Sequence, residues 1–366
     1  MSKASARPAG DSVVAKIIHQ PYIWAVVALL LLIVINLIKD PSYLGISVNS
    51  TTGNLSGNAI DILRASAPIM MIAIGMTLVI ATRGIYLSVG SVMAVSGAVS
   101  MEFMSTSGSS PGAAIGAAAL ALAISAVLGT VNCVLVSVVG LQPFITTLIT
   151  MLAGRGLAKV ITAGQNTSAT NEPFRWIANG TVLGFPVVFV IAAVIVAIVA
   201  VLVRRSALGL MIESIGINPK AARMAGIRPI GILIAVYIVS AVLAGIAGIF
   251  SVASVMTVEV AKTGLSAEMD AILAVVIGGT SLAGGKFSLT GSVIGALLIA
   301  TLDKTIVFLS IPSSATPAFK AAVIVIICLL QSQRVRALFA QRKTRSTPSA
   351  PTPSEPASTR KEAVSA

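Results

Sequence analysis

The chain has 366 residues, of which 56% are apolar and only 10% charged, and its formal net charge is +13. Soluble domains carry roughly 25% charged residues and need polar cover over their surface, so the composition excludes an ordinary soluble globule. The bases sit in short loops and a tail instead of on one stripe interleaved with aromatics, which argues against nucleic acid as a partner and fits the inner-side Lys/Arg excess of a membrane protein.

These features predict an all-α chain: a polytopic membrane helix bundle of about ten transmembrane helices, each near the ~20 apolar residues a bilayer requires, with the N- and C-termini cytoplasmic. Residues 1–21 form a cytoplasmic N-terminal segment with Lys3, Arg7 and Lys16. The apolar run 22–38 is too long for a signal-peptide core and ends in no small-residue cleavage pattern, so it reads as a retained first helix. Spans are expected near 22–39, 60–82, 87–105, 113–139, 143–163, 184–203, 229–255, 267–283, 288–309 and 316–332. The transmembrane domain runs over 22–332, interrupted by a basic cytoplasmic loop at 204–228. The tail, 333–366, is basic and rich in Pro, Ser and Thr from about 341 onward, a composition expected to stay disordered.

With the N-terminus inside, Arg83, the cluster Arg204, Arg205, Lys220, Arg223 and Arg228, Lys286 and the tail all fall on the cytoplasmic side. Cys133 and Cys328 lie in apolar runs without metal-type spacing and read as small packed hydrophobes. With a single His19, they leave no transition-metal site, and no cofactor is expected. Gly112-x-x-x-Gly116, Ala244-x-x-x-Gly248 and Gly291-x-x-x-Gly295 allow close helix approach. Leu87-Ser-Val-Gly-Ser-Val92 faintly echoes Leu289-Thr-Gly-Ser-Val293, as an internal repeat would.

The stretch most suggestive of mechanism lies in the loop 204–228. Asn218 suits a helix N-cap, Pro219 the first turn and Gly226 the stop, leaving under two turns of helix at Lys220 to Ala225. Such a helix is unstable alone. Either it leans on its own membrane domain or it is a short lever seated in a partner, and spacing leaves both readings open. Four stretches together resemble one family, in that family's order: Gly84-Ile-Tyr-Leu-Ser-Val-Gly90; Gln142-Pro-Phe-Ile-Thr-Thr-Leu148 with Arg155-Gly-Leu157; Gly216-Ile-Asn-Pro-Lys-Ala-Ala-Arg-Met-Ala-Gly-Ile227; and Ala274-Val-Val-Ile-Gly-Gly-Thr-Ser-Leu-Ala-Gly-Gly285. The family is the ribose-type sugar ABC importer permeases, and the resemblance covers about residues 60–332. Ile80-Ala-Thr, Ile161-Thr-Ala-Gly-Gln165 and Gln331-Ser-Gln-Arg334 look closest to its galactofuranose branch. The chain departs from the family at Tyr86, where Asp is usual, and at Arg83, where Gly is common.

The resemblance implies a non-catalytic permease subunit of a bacterial inner-membrane importer, working with ABC ATPase subunits, a periplasmic sugar-binding protein and a second permease, a copy or a paralogue. It implies galactofuranose or a ribose-like sugar as cargo, although related permeases handle other pentoses and hexoses, nucleosides or signalling sugars. It makes Gly216, Asn218, Pro219, Ala221, Ala222, Arg223 and Gly226 the ATPase-coupling helix, with Ala222 expected in the ATPase seat. No Gly-x-x-x-x-Gly-Lys-Ser/Thr phosphate loop is present, so ATP is expected to be hydrolysed by the partner. Ser88, Gln142, Thr146, Thr147, Thr150 and Arg155 are candidate lining groups of the path, although hydroxyls of this kind more often join helices. Arg155 lies deep in its span and is expected to pair inside the bundle with Glu102 or Asp61, while Lys159 snorkels outward. A proton- or sodium-driven transporter would need an ionisable relay at the midplane, and a channel a polar ring at a constriction. The sequence offers neither.

Overall fold

The computed structural model describes residues 22–45, 47–48, 55–182, 184–312 and 314–331. The segments 1–21 and 333–366, and with them both termini, lie outside the described residues. Among the described residues the architecture is almost wholly helical. In chain order the helices are α1 (Ile23–Lys39), α2 (Asn58–Ala81), α3 (Val89–Ser107), α4 (Pro111–Ser137), α5 (Pro143–Ile161), α6 (Glu172–Asn179), α7 (Val187–Arg205), α8 (Leu208–Ile217), α9 (Pro219–Met224), α10 (Pro229–Val255), α11 (Ala267–Ile277), α12 (Leu289–Phe308) and α13 (Thr316–Gln331). Two-residue strands pair in three small antiparallel ladders, one joining Thr167–Ser168 to Thr257–Val258.

Among the described residues six helices, α2, α4, α5, α7, α10 and α12, are long and apolar enough to cross a membrane. The other four expected spans fall on α1, α3, α11 and α13, which are shorter or less apolar. The expectation over 267–283 is corrected most. Its helix, α11, has 11 residues, about 16 Å at the α-helical rise, roughly half a bilayer core. It ends where the Gly278–Gly279 turn begins, since Gly279 takes a positive φ of 88°.

α2 is the axis of the bundle. Every residue from Met70 to Ala81 is buried, between α10 on one flank and α12 on the other. α10 also packs on α3 and α4. By contrast, α7 presents Val190, Val194, Ile198, Val201 and Leu202 outward, a stripe at helical spacing that suits lipid. α1 is pinned to α12 by a buried bond from Asn36 Nδ2 to Thr305 Oγ1, 2.7 Å. Of the three small-residue motifs, two serve close approach: a side chain at Gly248 would strike the Met93 backbone, and one at Gly295 the Ala274 backbone. Gly116 faces the Phe103 ring, and Gly112 has no near neighbour beyond the Ser110 hydroxyl.

α3 starts within the bundle, and α11 starts against it. Before α3, the turn 82–88 carries Tyr86, which is fully buried edge-on against Tyr237, a residue well inside α10, with ring centroids 5.6 Å apart. Before α11, the segment 259–266 brings Gly264 against Gly90, where a side chain on either would enter the other's backbone. Irregular backbone at this depth is tolerated when protein, not lipid, surrounds it.

Candidate coupling and translocation sites

The loop 204–228 folds as two helices where the sequence predicts one. α8 is a short apolar helix, missed because ten residues of apolar chain beside a membrane span carry no signal of their own end. It buries Ile212 and Ile215 against α2, α7, α9 and α10. α9 is capped as expected. Asn218 Oδ1 accepts from the Lys220 and Ala221 amides at 3.0 and 3.2 Å, Pro219 opens the helix, and Gly226 ends it with a φ of 86°. The Ile227 amide closes back on the Ala222 carbonyl at 3.1 Å.

The directions of the α9 side chains are what spacing left open. Asn218, Pro219, Ala221, Arg223 and Gly226 are exposed, and Met224, which the sequence reading did not single out, is 91% exposed. Ala222 is only 4% exposed and turned into its own chain. Ala222 therefore closes the α8–α9 corner, and the outward knob is built by Ala221 and Met224. Gly216 is needed for packing, since a Cβ there would collide with the Ala81 carbonyl and the Gly285 amide.

Three separate stretches of the chain meet at this corner. Arg83, held at a positive φ of 65°, donates from Nη2 to the Ile217 carbonyl at 2.6 Å and from Nε to the Ala283 carbonyl at 3.1 Å. The Gly285 amide donates to the Ala81 carbonyl at 2.9 Å.

The candidate path residues are not gathered around an opening of the single chain. Ser88, Thr146 and Thr147 are fully buried and Thr150 nearly so, while Gln142 is exposed. The Thr147 hydroxyl lies 3.0 Å from both the Ile85 and the Pro143 carbonyls, Thr150 donates to the Thr146 carbonyl, and Ser88 accepts from Asn132 Nδ2 at 3.0 Å. The Asn132 and Thr147 contacts tie α4 and α5 to the turn that opens α3, whereas the Thr150 bond stays within α5. Thr146 Oγ1 is buried with no hydrogen-bond partner. Arg155 does not pair with Glu102 or Asp61. Its two Nη groups each donate at 2.6 Å to the Thr263 and Gly264 carbonyls, with the Glu268 carboxylate nearby. Carbonyls of the irregular backbone ahead of α11 satisfy it. Asp61 instead binds Lys304 at 2.5 Å and faces Arg64 at 4.0 Å. These three, with Ser251, Ser254 and Phe250, line a cleft of about 430 Å³ at the end of α2 away from Arg83. A second charged group, also missed in sequence, joins Lys320 of α13 to Asp270 of α11 at 3.0 Å and to Asp303 of α12 at 2.7 Å. Its members lie far apart in the chain, so no local pattern announces it.

The fold and these sites define the class: a multi-pass α-helical membrane protein that carries a short capped helix, α9, with an outward face beside its apolar body. Residues 58–329 match the family described as branched-chain amino acid transport system / permease component. The chain is 52% identical to a fructose import permease protein of Bifidobacterium longum over 93% of its own length and 96% of that protein. It is 39% identical to a galactofuranose transporter permease protein of Escherichia coli, over 87% of this chain and 92% of that one. With a ribose import permease protein of Escherichia coli it shares 36%, covering 85% and 93%. No solved structure matches. The chain belongs to the sugar ABC importer permease family. The galactofuranose permease, singled out by short motifs, is less similar across the whole chain than the fructose permease.

Proposed function

We propose that this chain is the transmembrane subunit of a bacterial inner-membrane importer that carries a monosaccharide, with fructose the first candidate and galactofuranose and ribose the alternatives. Hydrolysis of ATP takes place on separate subunits, a secreted binding protein delivers the sugar, and a second permease completes the path. The observation that carries this reading is α9: a helix too short to hold itself, capped at both ends, with Met224 presented outward at 91% exposure. Such a knob is a lever for something outside the chain. The extent of identity to the fructose permease supports the cargo, and selectivity is expected to rest mainly on the delivery protein. Ser88, Thr146, Thr147, Thr150 and Arg155 stand around the irregular starts of α3 and α11, where a rearrangement would open or close a passage between two such chains, and Gln142 lies exposed beside them.

The test is uptake of labelled fructose, galactofuranose and ribose into vesicles holding the chain with its ATPase partner, the binding protein outside and ATP inside. Uptake should require ATP and survive collapse of the proton gradient. Concentrative uptake by the chain alone, or uptake abolished with the proton gradient at constant ATP, would refute the reading in favour of an ion-driven carrier. The sugar preferred by the isolated binding protein names the cargo.

A further inference from the structure

We infer that Arg83 is a positioning residue that transmits the motion of α9 to the buried turn 82–88 and through it to α5; the inference rests on the coupling role proposed for α9. Its guanidinium spans two elements that the sequence keeps far apart. One contact is to the carbonyl of Ile217, the residue immediately before the α9 N-cap Asn218, and the other to the carbonyl of Ala283 in the Gly-rich turn ahead of α12. A planar guanidinium suits this task because its donors lie in a fixed fork, whereas an ammonium acts as a point charge.

The backbone around the fork is as constrained as the side chain. Arg83 itself sits in the left-handed region, which a residue with a Cβ adopts reluctantly, so its conformation persists because the surroundings hold it. Gly216 is pressed on the Ala81 carbonyl, Gly284 lies against the Arg83 side chain, and the Gly285 amide bonds Ala81. There is no slack between the base of α9 and the turn after α2. Two residues beyond Arg83, the Ile85 carbonyl lies 3.0 Å from the Thr147 hydroxyl of α5, which it shares with the Pro143 carbonyl at the same distance, and three further on Ser88 accepts from Asn132 of α4. A displacement of α9 therefore has a continuous route of short polar contacts: Ile217, Arg83, the turn, Thr147. Such a route counts as coupling only when both ends are shown to depend on it.

Two measurements test it. In the purified chain alone, hydrogen exchange of the segment 214–227 should speed up by roughly tenfold in both Arg83→Gly and Arg83→Ala, since both lose the fork. Glycine takes the positive φ freely, so Arg83→Gly separates loss of the fork from backbone strain. In the complete transporter the Arg83→Gly complex should keep its ATPase subunits and its ATP hydrolysis. Sugar moved per ATP should fall by about tenfold, within the span of ordinary coupling energies, and Arg83→Lys should recover part of it. Unchanged exchange, unchanged sugar per ATP, or a complex that loses its ATPase subunits would each overturn the inference. If the wild-type complex moves no sugar, the importer reading fails instead, and the exchange result on the isolated chain still decides the tie.

Discussion

Ala222 and Met224 lie two residues apart on α9 and face opposite ways, 4% and 91% exposed. They should therefore fail differently. Met224→Glu should leave membrane insertion and the melting temperature of the isolated chain unchanged while cutting co-purification of the ATPase partner severalfold. Ala222→Arg should lower that melting temperature, because overfilling a packed corner costs about 1–3 kcal/mol. A variant at 222 that melts like wild type but loses the partner would mean that Ala222 turns outward in the working complex. Gly216→Ala is the companion case: one methyl group would enter the Ala81 carbonyl and the Gly285 amide, and a thermal-shift measurement should find a loss of similar size. The caps of α9 were legible because Asn, Pro and Gly each mark a position by local backbone chemistry. The facing of Ala222 was not, since a helix this short has too few turns for its spacing to reveal a buried side.

Single charged groups join whole elements. Lys320 gathers Asp270 of α11 and Asp303 of α12, with side-chain exposures of 18%, 20% and 37%. Replacing it by Ala leaves two carboxylates facing each other, and losing a charged hydrogen bond costs about 1.5–3 kcal/mol. Lys320→Ala should lower thermal stability in detergent, and adding Asp303→Asn should restore part of the loss; purely additive losses would show that the three groups do not act together. Arg155 joins α5 to the segment before α11 through two carbonyls, whereas Lys159 is exposed on the last turn of α5. Arg155→Ala should therefore reduce sugar uptake more than Lys159→Ala at matched expression, and equal uptake would count against it. The depth of Arg155 in the bundle was readable from its place in an apolar run. Its partners were not: they are backbone oxygens of an irregular turn that no residue type advertises. For the same reason, α11 reads as a full span in its apolar run and emerges as 11 residues.

At the scale of the molecule, composition and apolar run length were enough to set the class, since a bilayer imposes a length on every crossing segment. Family membership was legible in four motifs, and three of them lie at or beside the α8–α9 corner: Gly216 to Ile227, Gly84 to Gly90 just after Arg83, and the glycine-rich end of Ala274 to Gly285. The weak echo between Leu87–Val92 and Leu289–Val293 takes on a structural meaning as well. Gly90 of the first stretch touches Gly264, just before α11, and Gly291 of the second touches Gly278, just after it. The half-length helix is thus gripped at either tip by close main-chain contacts, with the Glu268 carboxylate also against Gly90 and the Ser288 hydroxyl against Gly291. A joint of this kind has no spare volume. The lipid-facing Val, Ile and Leu of α7 can be exchanged for one another at little cost, but a library randomised at positions 90, 264, 278 and 291 should return glycine almost everywhere after selection for growth on the transported sugar. Recovery of alanine at all four would mean that the grip is looser than the backbone implies. Natural drift and deliberate redesign thus have wide freedom over the oily exterior and almost none at four atoms' width in the centre.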